Sequence, residues 1–188
     1  VAYADGAPWT GKGSRAKKVK LGAPHFVDFG RNAEHAPDGR AYLVGHGSTR
    51  ETNATRLTWM SGDQVYLART RAKPDPATIN DRLSWEFFGG HGAGGNATWV
   101  SEVIEAQPLF TWLNRTGVTT MTYVPALRKY LTLVSTPNID GGSTLGDFDS
   151  YILESNEITG PFRHVAYLRQ FGPQVRIRNL LRSDHGTC

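Results

Sequence analysis

Short runs of alternating apolar and polar residues follow one another along most of this chain, and turn residues separate them. Runs rich in Val, Ile, Tyr, Phe and Trp that alternate over roughly four to eight residues are typical of β-strands. Pro37-Asp38-Gly39 and Asp140-Gly141-Gly142 are turn sequences that lie between such runs. Helical periodicity is nearly absent, so the chain is predicted to be all-β.

The runs are arranged as a unit of four strands that occurs twice. The runs span residues 24–30, 40–45, 64–70, 83–88, 98–103, 119–124, 129–135, 150–154 and 162–168, and the run at 98–103 lies between the two units. The third strands of the two units match best, with Val65–Arg69 beside Tyr151–Ser155. A unit of this size brackets the roughly 40–50 residues of a propeller blade plus its loops. The repeat therefore predicts two four-stranded antiparallel blades of a β-propeller.

Two blades cannot close a ring, because propellers contain about four to eight of them. The chain is expected to form part of a ring that is completed by the rest of a longer chain or by other copies. The same strands could instead form a two-sheet sandwich, but the repeat favours the propeller. We divide the chain into a basic flexible arm (1–20), two blades (21–106 and 107–174) and an atypical basic tail (175–188).

The charge of the chain is positive, with a net value of +4 and a pI of about 9.3. A basic patch can attract nucleic acid, anionic lipid or an acidic polysaccharide, but no nucleic-acid motif is present. No apolar run approaches the roughly 20 residues needed to cross a bilayer. Cys188 is the single cysteine, which excludes an internal disulfide and a thiolate metal site.

Three sequons of the N-x-S/T type begin at Asn53, Asn96 and Asn114. They are the acceptor motif for N-glycosylation, which occurs on secreted proteins. The chain also begins at Val1, as expected after removal of a signal peptide or for a fragment. These features predict a secreted, extracellular glycoprotein.

The order of the strands predicts where a site would lie. In a propeller, the entry to the first strand of each blade and the loop between the second and third strands open on the same rim. His25 and His46 are expected on this rim, with Arg50, Trp112 and Arg115 beside them. An arginine binds a carboxylate bidentately, and an indole can stack on a sugar ring. The rim therefore suits an anionic sugar.

Proton transfer at this rim is assigned to the two histidines, since an imidazole with a pKa of about 6.5 can exchange a proton near neutral pH. Hydrolysis would instead need two carboxylates about 5–10 Å apart. Asp28, in the first inner strand, is the leading acid, and the other candidates are Asp38, Asp63, Glu102 and Asp147. No cofactor or metal motif is found, although calcium held by backbone carbonyls would leave no spacing to detect.

The stretches PHFVDFGRNAEHAPDGRAYLVGHG, GDQVYLART, WEFFGG and YILESNEITGPF resemble secreted fungal and bacterial carbohydrate-active β-propellers over roughly residues 20–174. The nearest characterised analogy is with the lyases that cleave L-rhamnose from D-glucuronate. That resemblance implies β-elimination: the uronate carboxylate is neutralised, a base removes the C5 proton, and an acid protonates the leaving oxygen. It implies His25 and His46 as the proton-transfer residues.

Three functions therefore remain open. The first is a polysaccharide lyase that acts on a uronate-linked sugar, and the second is a glycoside hydrolase on the same fold. The third is a lectin-like protein without catalysis, which would use tryptophan platforms chosen from Trp59, Trp85, Trp99 and Trp112. In each case the expected partner is an acidic oligo- or polysaccharide, and not a membrane.

Overall fold

A computed structural model describes residues 20–47, 62–137 and 148–169 of this chain. The basic arm before Lys20, the basic tail from residue 175, Arg50, Asn53, Trp59 and Asp147 lie outside the described residues. Within these ranges, no helix is long and apolar enough to cross a membrane.

The first sheet is an antiparallel meander of five strands with a sixth strand at its side. In order it contains β1 (Gly22–Phe26), β2 (Tyr42–Gly47), β3 (Gly62–Thr70), β4 (Trp85–His91) and β5 (Ala97–Val100). The sixth strand, β6 (Phe110–Thr116), pairs with the beginning of β3, whereas β4 pairs with its end. The long strand β3 therefore has two partners on one edge.

The second sheet is a four-stranded antiparallel meander. Its strands are β7 (Val118–Val124), β8 (Lys129–Pro137), β9 (Phe148–Ser155) and β10 (Arg163–Leu168), and each pairs with the next. The ladder between β8 and β9 is continuous from Tyr130↔Ser155 to Pro137↔Phe148. The prediction of a mainly β chain with antiparallel sheets is confirmed.

Strand β6 was not predicted as a strand, since the sequence pattern placed residues 107–118 in the segment that enters the second unit. Its register joins it to the first sheet, with Thr116 opposite Gly62 and Phe110 opposite Val65. The first sheet thus extends past residue 106 to Thr116, and Gly117 separates it from the second sheet. Trp112 and Arg115 consequently lie on a strand.

One short helix, α1 (Pro76–Asn80), lies between β3 and β4. Asp75 caps it, because its Oδ1 accepts a hydrogen bond of 2.6 Å from the Thr78 backbone N–H. Pro76 occupies the first helical position, where its fixed φ fits and its missing N–H costs nothing. Single 3-10 turns lie at Arg31–Ala33, Arg82–Ser84 and Val103–Glu105.

The main apolar core lies between the two sheets. Met121 and Tyr130 of the second sheet pack in one cluster with Val44, Val65 and Leu67 of the first. A second cluster covers the far face of the first sheet and includes Leu43, Tyr66, Trp85 and Phe87. The first sheet is thus buried on both faces in its centre.

The segment that follows β1 lies beside β7, the first strand of the second sheet. The Asp28 backbone N–H donates to Met121 O, and the Tyr123 N–H donates to Asp28 O, both at 2.9 Å. These bonds form a parallel bridge between Asp28 and Thr122. One parallel bridge thus joins the segment after β1 to β7.

Candidate functional site

Buried polar side chains gather at one end of the two sheets, where β2 and β8 end and β3 and β9 begin. They are His46, Asp63, Thr116, Thr119, Ser135, Thr136, Asp149 and Ser150. At the other end the space between the sheets is filled by Val27, Phe29, Tyr42, Tyr130 and other apolar residues. We call the first region the polar end. It is the end at which the strand order placed the expected rim.

His46 lies at the polar end but beneath its surface, with 1% of its area exposed. Two glycines leave room for its ring. Gly22 is its partner across the β1–β2 ladder, and a Cβ on Gly62 would lie 3.0 Å from His46 Cδ2. A bound polysaccharide would therefore meet other side chains before it met this imidazole.

His25 and Asp28 lie further along the first strand region. His25 is exposed and pairs with Val44, whereas His46 pairs with Gly22. The structure thus brings the two histidines onto adjacent strands in different environments. With a rise of about 3.3 Å per residue, Asp28 lies roughly 15–20 Å along the chain from Gly22. Its Oδ1 accepts a 2.9 Å hydrogen bond from Gly30 N–H, which stabilises a turn.

The other acidic candidates are dispersed. Asp38 accepts hydrogen bonds from Tyr42 Oη and the Arg40 backbone in the β1–β2 connection. Glu102 is exposed and lies 4.0 Å from Arg82. Of the acidic candidates that the structure describes, Asp63 alone is at the polar end, where Asp149 is a second buried carboxyl group that the sequence did not single out.

An aromatic cluster bridges the two sheets at the polar end. It consists of Trp112 from β6, Tyr151 from β9, and His164 and Tyr167 from β10. The Trp112 and Tyr151 ring centroids are 4.8 Å apart, and His164 lies 6.2 Å from Trp112 and 5.8 Å from Tyr151. Tyr167 stacks on Tyr151 at 5.0 Å with an interplanar angle of 20°. Tyr151 is buried, while Tyr167 remains 47% exposed.

Arg115 lies at the edge of this aromatic cluster. Its Nη1 donates a 3.1 Å hydrogen bond to Tyr151 Oη, which ties β6 to β9. Loss of hydration raises the pKa of Tyr167, and a hydrogen bond to Asp149 raises it further. The Tyr167 phenol is therefore protonated at neutral pH. The cluster combines apolar ring faces with a guanidinium and a phenol.

The His164 ring has a defined tautomer. Its Nε2 lies 2.9 Å from the Ala166 carbonyl oxygen, and a carbonyl can only accept a hydrogen bond. Nε2 must therefore carry the proton, and Nδ1 of the neutral ring is a proton acceptor. His164 is exposed, so this acceptor lies on the solvent side of the cluster.

The structure thus brings together two of the predicted substrate-binding residues, Trp112 and Arg115. It adds Tyr151, His164 and Tyr167, which the sequence pattern marked only as parts of strands. The spacing of these residues in the sequence could not have identified the cluster, because they come from three strands in two sheets. An interleaving of aromatic and basic residues in the last predicted strand, FRHVAYL, was the available hint.

The remaining predicted platforms have other surroundings. Trp85 is buried and donates through Nε1 to Ile79 O at 3.2 Å. Arg69 Cζ lies 3.8 Å from the centroid of the Trp99 ring and covers it. Of the tryptophans that the structure describes, Trp112 is the one that belongs to the aromatic cluster.

Asn96, the second sequon, is exposed in the turn between β4 and β5. Its carbonyl accepts a 2.9 Å hydrogen bond from Gly92 N–H, so the glycine-rich stretch forms a hairpin loop, as expected. Asn114 lies on β6. In the described ranges, no three or more His, Cys, Asp or Glu side chains form a metal-binding group.

Comparison with known proteins adds no relative. No protein-family model matches the chain, and no curated protein matches it at a significant level.

Proposed function

We propose that this chain forms two blades of a secreted, carbohydrate-active β-propeller and that its aromatic cluster binds an acidic oligo- or polysaccharide. Two features of the fold support the propeller. Each sheet contains four consecutive antiparallel strands, and the segment after β1 runs parallel to β7 through a bridge between Asp28 and Thr122. A two-sheet sandwich does not require such a parallel contact between its two sheets.

The observation that carries the proposal is the aromatic cluster itself. Sugar rings bind to flat apolar faces that are edged by hydrogen-bonding groups, and Tyr167 and Trp112 offer both. Half of the Tyr167 side chain is open to solvent although its ring stacks on the buried Tyr151. A rigid aromatic that remains exposed loses little conformational entropy when it binds a ligand.

Positive charge at the cluster favours an acidic sugar. Arg115 lies within hydrogen-bond distance of Tyr151 Oη. A guanidinium binds a carboxylate more strongly than a neutral hydroxyl because the hydrogen bonds are charge-assisted. A uronate with its ring on Trp112 and its carboxylate toward Arg115 satisfies both groups.

Cleavage by β-elimination is the second candidate function, and the tautomer of His164 favours it. The Nδ1 lone pair would take the C5 proton, the C5 electron pair would form the C4=C5 double bond, and the C4–O bond would break. The protonated Tyr167 phenol or another acid would return a proton to the leaving oxygen. His25 and His46 remain alternative proton-transfer residues, with His46 acting from beneath the surface.

Binding calorimetry with the whole chain tests the proposal. Acidic oligosaccharides such as oligogalacturonides are compared with neutral oligosaccharides of equal length. Trp112→Ala is expected to lower the affinity for the acidic sugar about tenfold, because the loss of an aromatic contact of about 1.5 kcal/mol corresponds to that factor. Phe26→Ala is the matched control, since Phe26 is an exposed aromatic outside the cluster.

A second variant separates charge from stacking. Arg115→Gln is expected to remove the preference for the acidic sugar while it leaves binding of the neutral sugar unchanged. Equal affinities of the native chain for acidic and neutral sugars, or native affinity in Trp112→Ala, would refute the proposed site. The ultraviolet absorbance of an unsaturated uronate distinguishes a lyase from a hydrolase or a lectin.

A further inference from the structure

Tyr151 on β9 contacts every other member of the aromatic cluster. Its ring centroid lies 4.8 Å from that of Trp112, 5.8 Å from that of His164 and 5.0 Å from that of Tyr167. Its hydroxyl also accepts the hydrogen bond from Arg115. Tyr151 itself is only 8% exposed. A buried residue among these four groups can fix where they lie without touching a ligand.

The course of β6 brings both Trp112 and Arg115 to Tyr151. Side chains three positions apart on a regular strand point to opposite faces, so this pair would normally diverge. The pairing of β6 with β3 shifts register between Gln64 and Gly62, and five steps along β6 there match two steps along β3. Irregular pairing of this kind re-aims side chains and is frequent next to functional sites.

A bulge in β10 has the same effect on His164 and Tyr167. Val165 is an extra residue in the ladder with β9, since the β10 residues on either side of it pair with consecutive residues of β9. Because of this extra residue, His164 and Tyr167 share a face of the sheet although they are three positions apart. Two strands from different sheets thus depart from regular pairing where they meet the Tyr151 ring.

Arg115 is half-buried and forms no ion pair with a carboxylate in the part of the chain that the structure describes. Arg40 and Arg69, which are also half-buried, share the carboxylate of Glu86. Tyr151 Oη accepts from Arg115 Nη1, so Nε and Nη2 are left as two parallel donors on one edge of the guanidinium. That edge matches the two oxygens of a carboxylate, and it therefore points to an anionic ligand.

We propose that Tyr151 is the positioning residue of the acidic-sugar site and sets its preference for a uronate. Its hydroxyl holds the Arg115 guanidinium by Nη1, so that the Nε–Nη2 edge binds the uronate carboxylate while the sugar ring lies on Trp112. Without that hydrogen bond the long Arg115 side chain occupies other rotamers, and ordering it on binding lowers the affinity. This inference rests on the proposed binding function and adds the residue that creates its specificity.

Binding calorimetry of the whole chain tests this role with a galacturonic acid oligosaccharide and its methyl ester of the same length. The two ligands share the sugar ring and differ in the charge of the carboxyl group. Tyr151→Phe keeps the aromatic ring but removes the acceptor for Arg115. It is expected to lower the ratio of the two affinities about fivefold, the typical cost of ordering one long side chain, and to leave the affinity for the ester unchanged. Tyr42→Phe is the matched control, because Tyr42 is a buried tyrosine whose hydroxyl bonds to a side chain at the other end of the sheets.

A double-mutant cycle shows whether Tyr151 acts through Arg115. The double variant Arg115→Gln, Tyr151→Phe is expected to have the same affinity ratio as Arg115→Gln alone, because the charge that Tyr151 positions is already gone. A Tyr151→Phe variant that weakens both ligands equally would show a structural role only and would overturn the inference. A further fall of the ratio in the Arg115→Gln background would overturn it as well.

One measurement on the native chain does not depend on how Tyr151→Phe folds. In NMR spectra with isotope-labelled arginine, the Nε–H signal of Arg115 is expected to shift when the acid binds and to stay in place when the ester binds. A signal that stays in place with bound acid contradicts the assigned edge. Failure of the proposed function gives a different result, since the native chain would then bind acid no more tightly than ester. A native preference that survives Tyr151→Phe overturns the positioning role alone.

Discussion

Glu86 on β4 is the centre of an ion-pair network that joins β3, β4 and the β1–β2 connection. Its Oε1 accepts hydrogen bonds from Arg40 Nη1 at 2.8 Å and from Arg69 Nε at 2.7 Å. Arg71 Nη1 lies 3.7 Å from Oε2, and the Glu86 side chain is only 14% exposed. Arg69 also covers the Trp99 ring. We therefore expect Glu86 to contribute strongly to stability.

The expected loss of unfolding free energy depends on which contacts the arginines keep when the Glu86 carboxylate is removed. Each hydrogen bond to a charged group contributes about 1.5–3 kcal/mol, and breaking a buried pair costs about 3–5 kcal/mol. Arg40 and Arg69 keep contacts with Asp38 at 3.4 and 3.6 Å, which reduces the loss. Glu86→Ala is therefore expected to lower the free energy of unfolding by about 2–4 kcal/mol, and Glu86→Gln by about half as much.

Urea denaturation followed by circular dichroism measures this loss, provided that the slope of the transition is unchanged. Glu102→Ala is the control, because Glu102 and Arg82 form a 4.0 Å pair whose side chains are more than half exposed. Such surface pairs contribute about 0–1 kcal/mol. If Glu86→Ala loses no more stability than Glu102→Ala, the network does not stabilise the fold and this reasoning is refuted.

Three further predictions concern the core, the polar end and the surface. Burial raises the pKa values of Tyr42, Tyr66 and Tyr130 to about 12. Because the folded state then retains protons that the unfolded state loses, the free energy of unfolding is expected to fall between about pH 10 and 12. Alkaline denaturation measures this fall, and a free energy that stays constant over that range would contradict it. Gly62→Ala places a Cβ 2.6 Å from Gly47 O, so it is expected to lower the free energy of unfolding in urea by about 1–3 kcal/mol. Gly92→Ala is the control, because the nearest contact of its Cβ would be an ordinary 3.5 Å. Equal losses in the two variants would disprove the clash. Expression through a eukaryotic secretory pathway is expected to add a glycan at the exposed Asn96, seen as a mass that Asn96→Gln reduces; an unchanged mass would exclude that sequon.

Local patterns were sufficient where neighbouring residues decide the structure. The runs at 64–70, 129–135 and 162–168 became β3, β8 and β10 with small changes at their ends, because alternation reflects the two faces of one strand. Asp75 followed by Pro76 is a typical start of a helix, but the helix was not predicted because strand-like runs lie on either side of it. Strand β6 was missed because its partner is β3, which lies far back in the chain, and pairing at that distance leaves no local mark.

The sequence by itself determined the secondary structure class and the antiparallel order of consecutive strands, and it predicted Trp112 and Arg115 as binding residues. Tertiary structure alone decided that His46 is buried, and that Trp112, Tyr151, His164 and Tyr167 form one cluster. The physical reason is the range of the interactions. Alternation and turn chemistry act over a few residues, whereas Arg115 and Tyr151 are 36 residues apart and meet only because two sheets pack on a shared core.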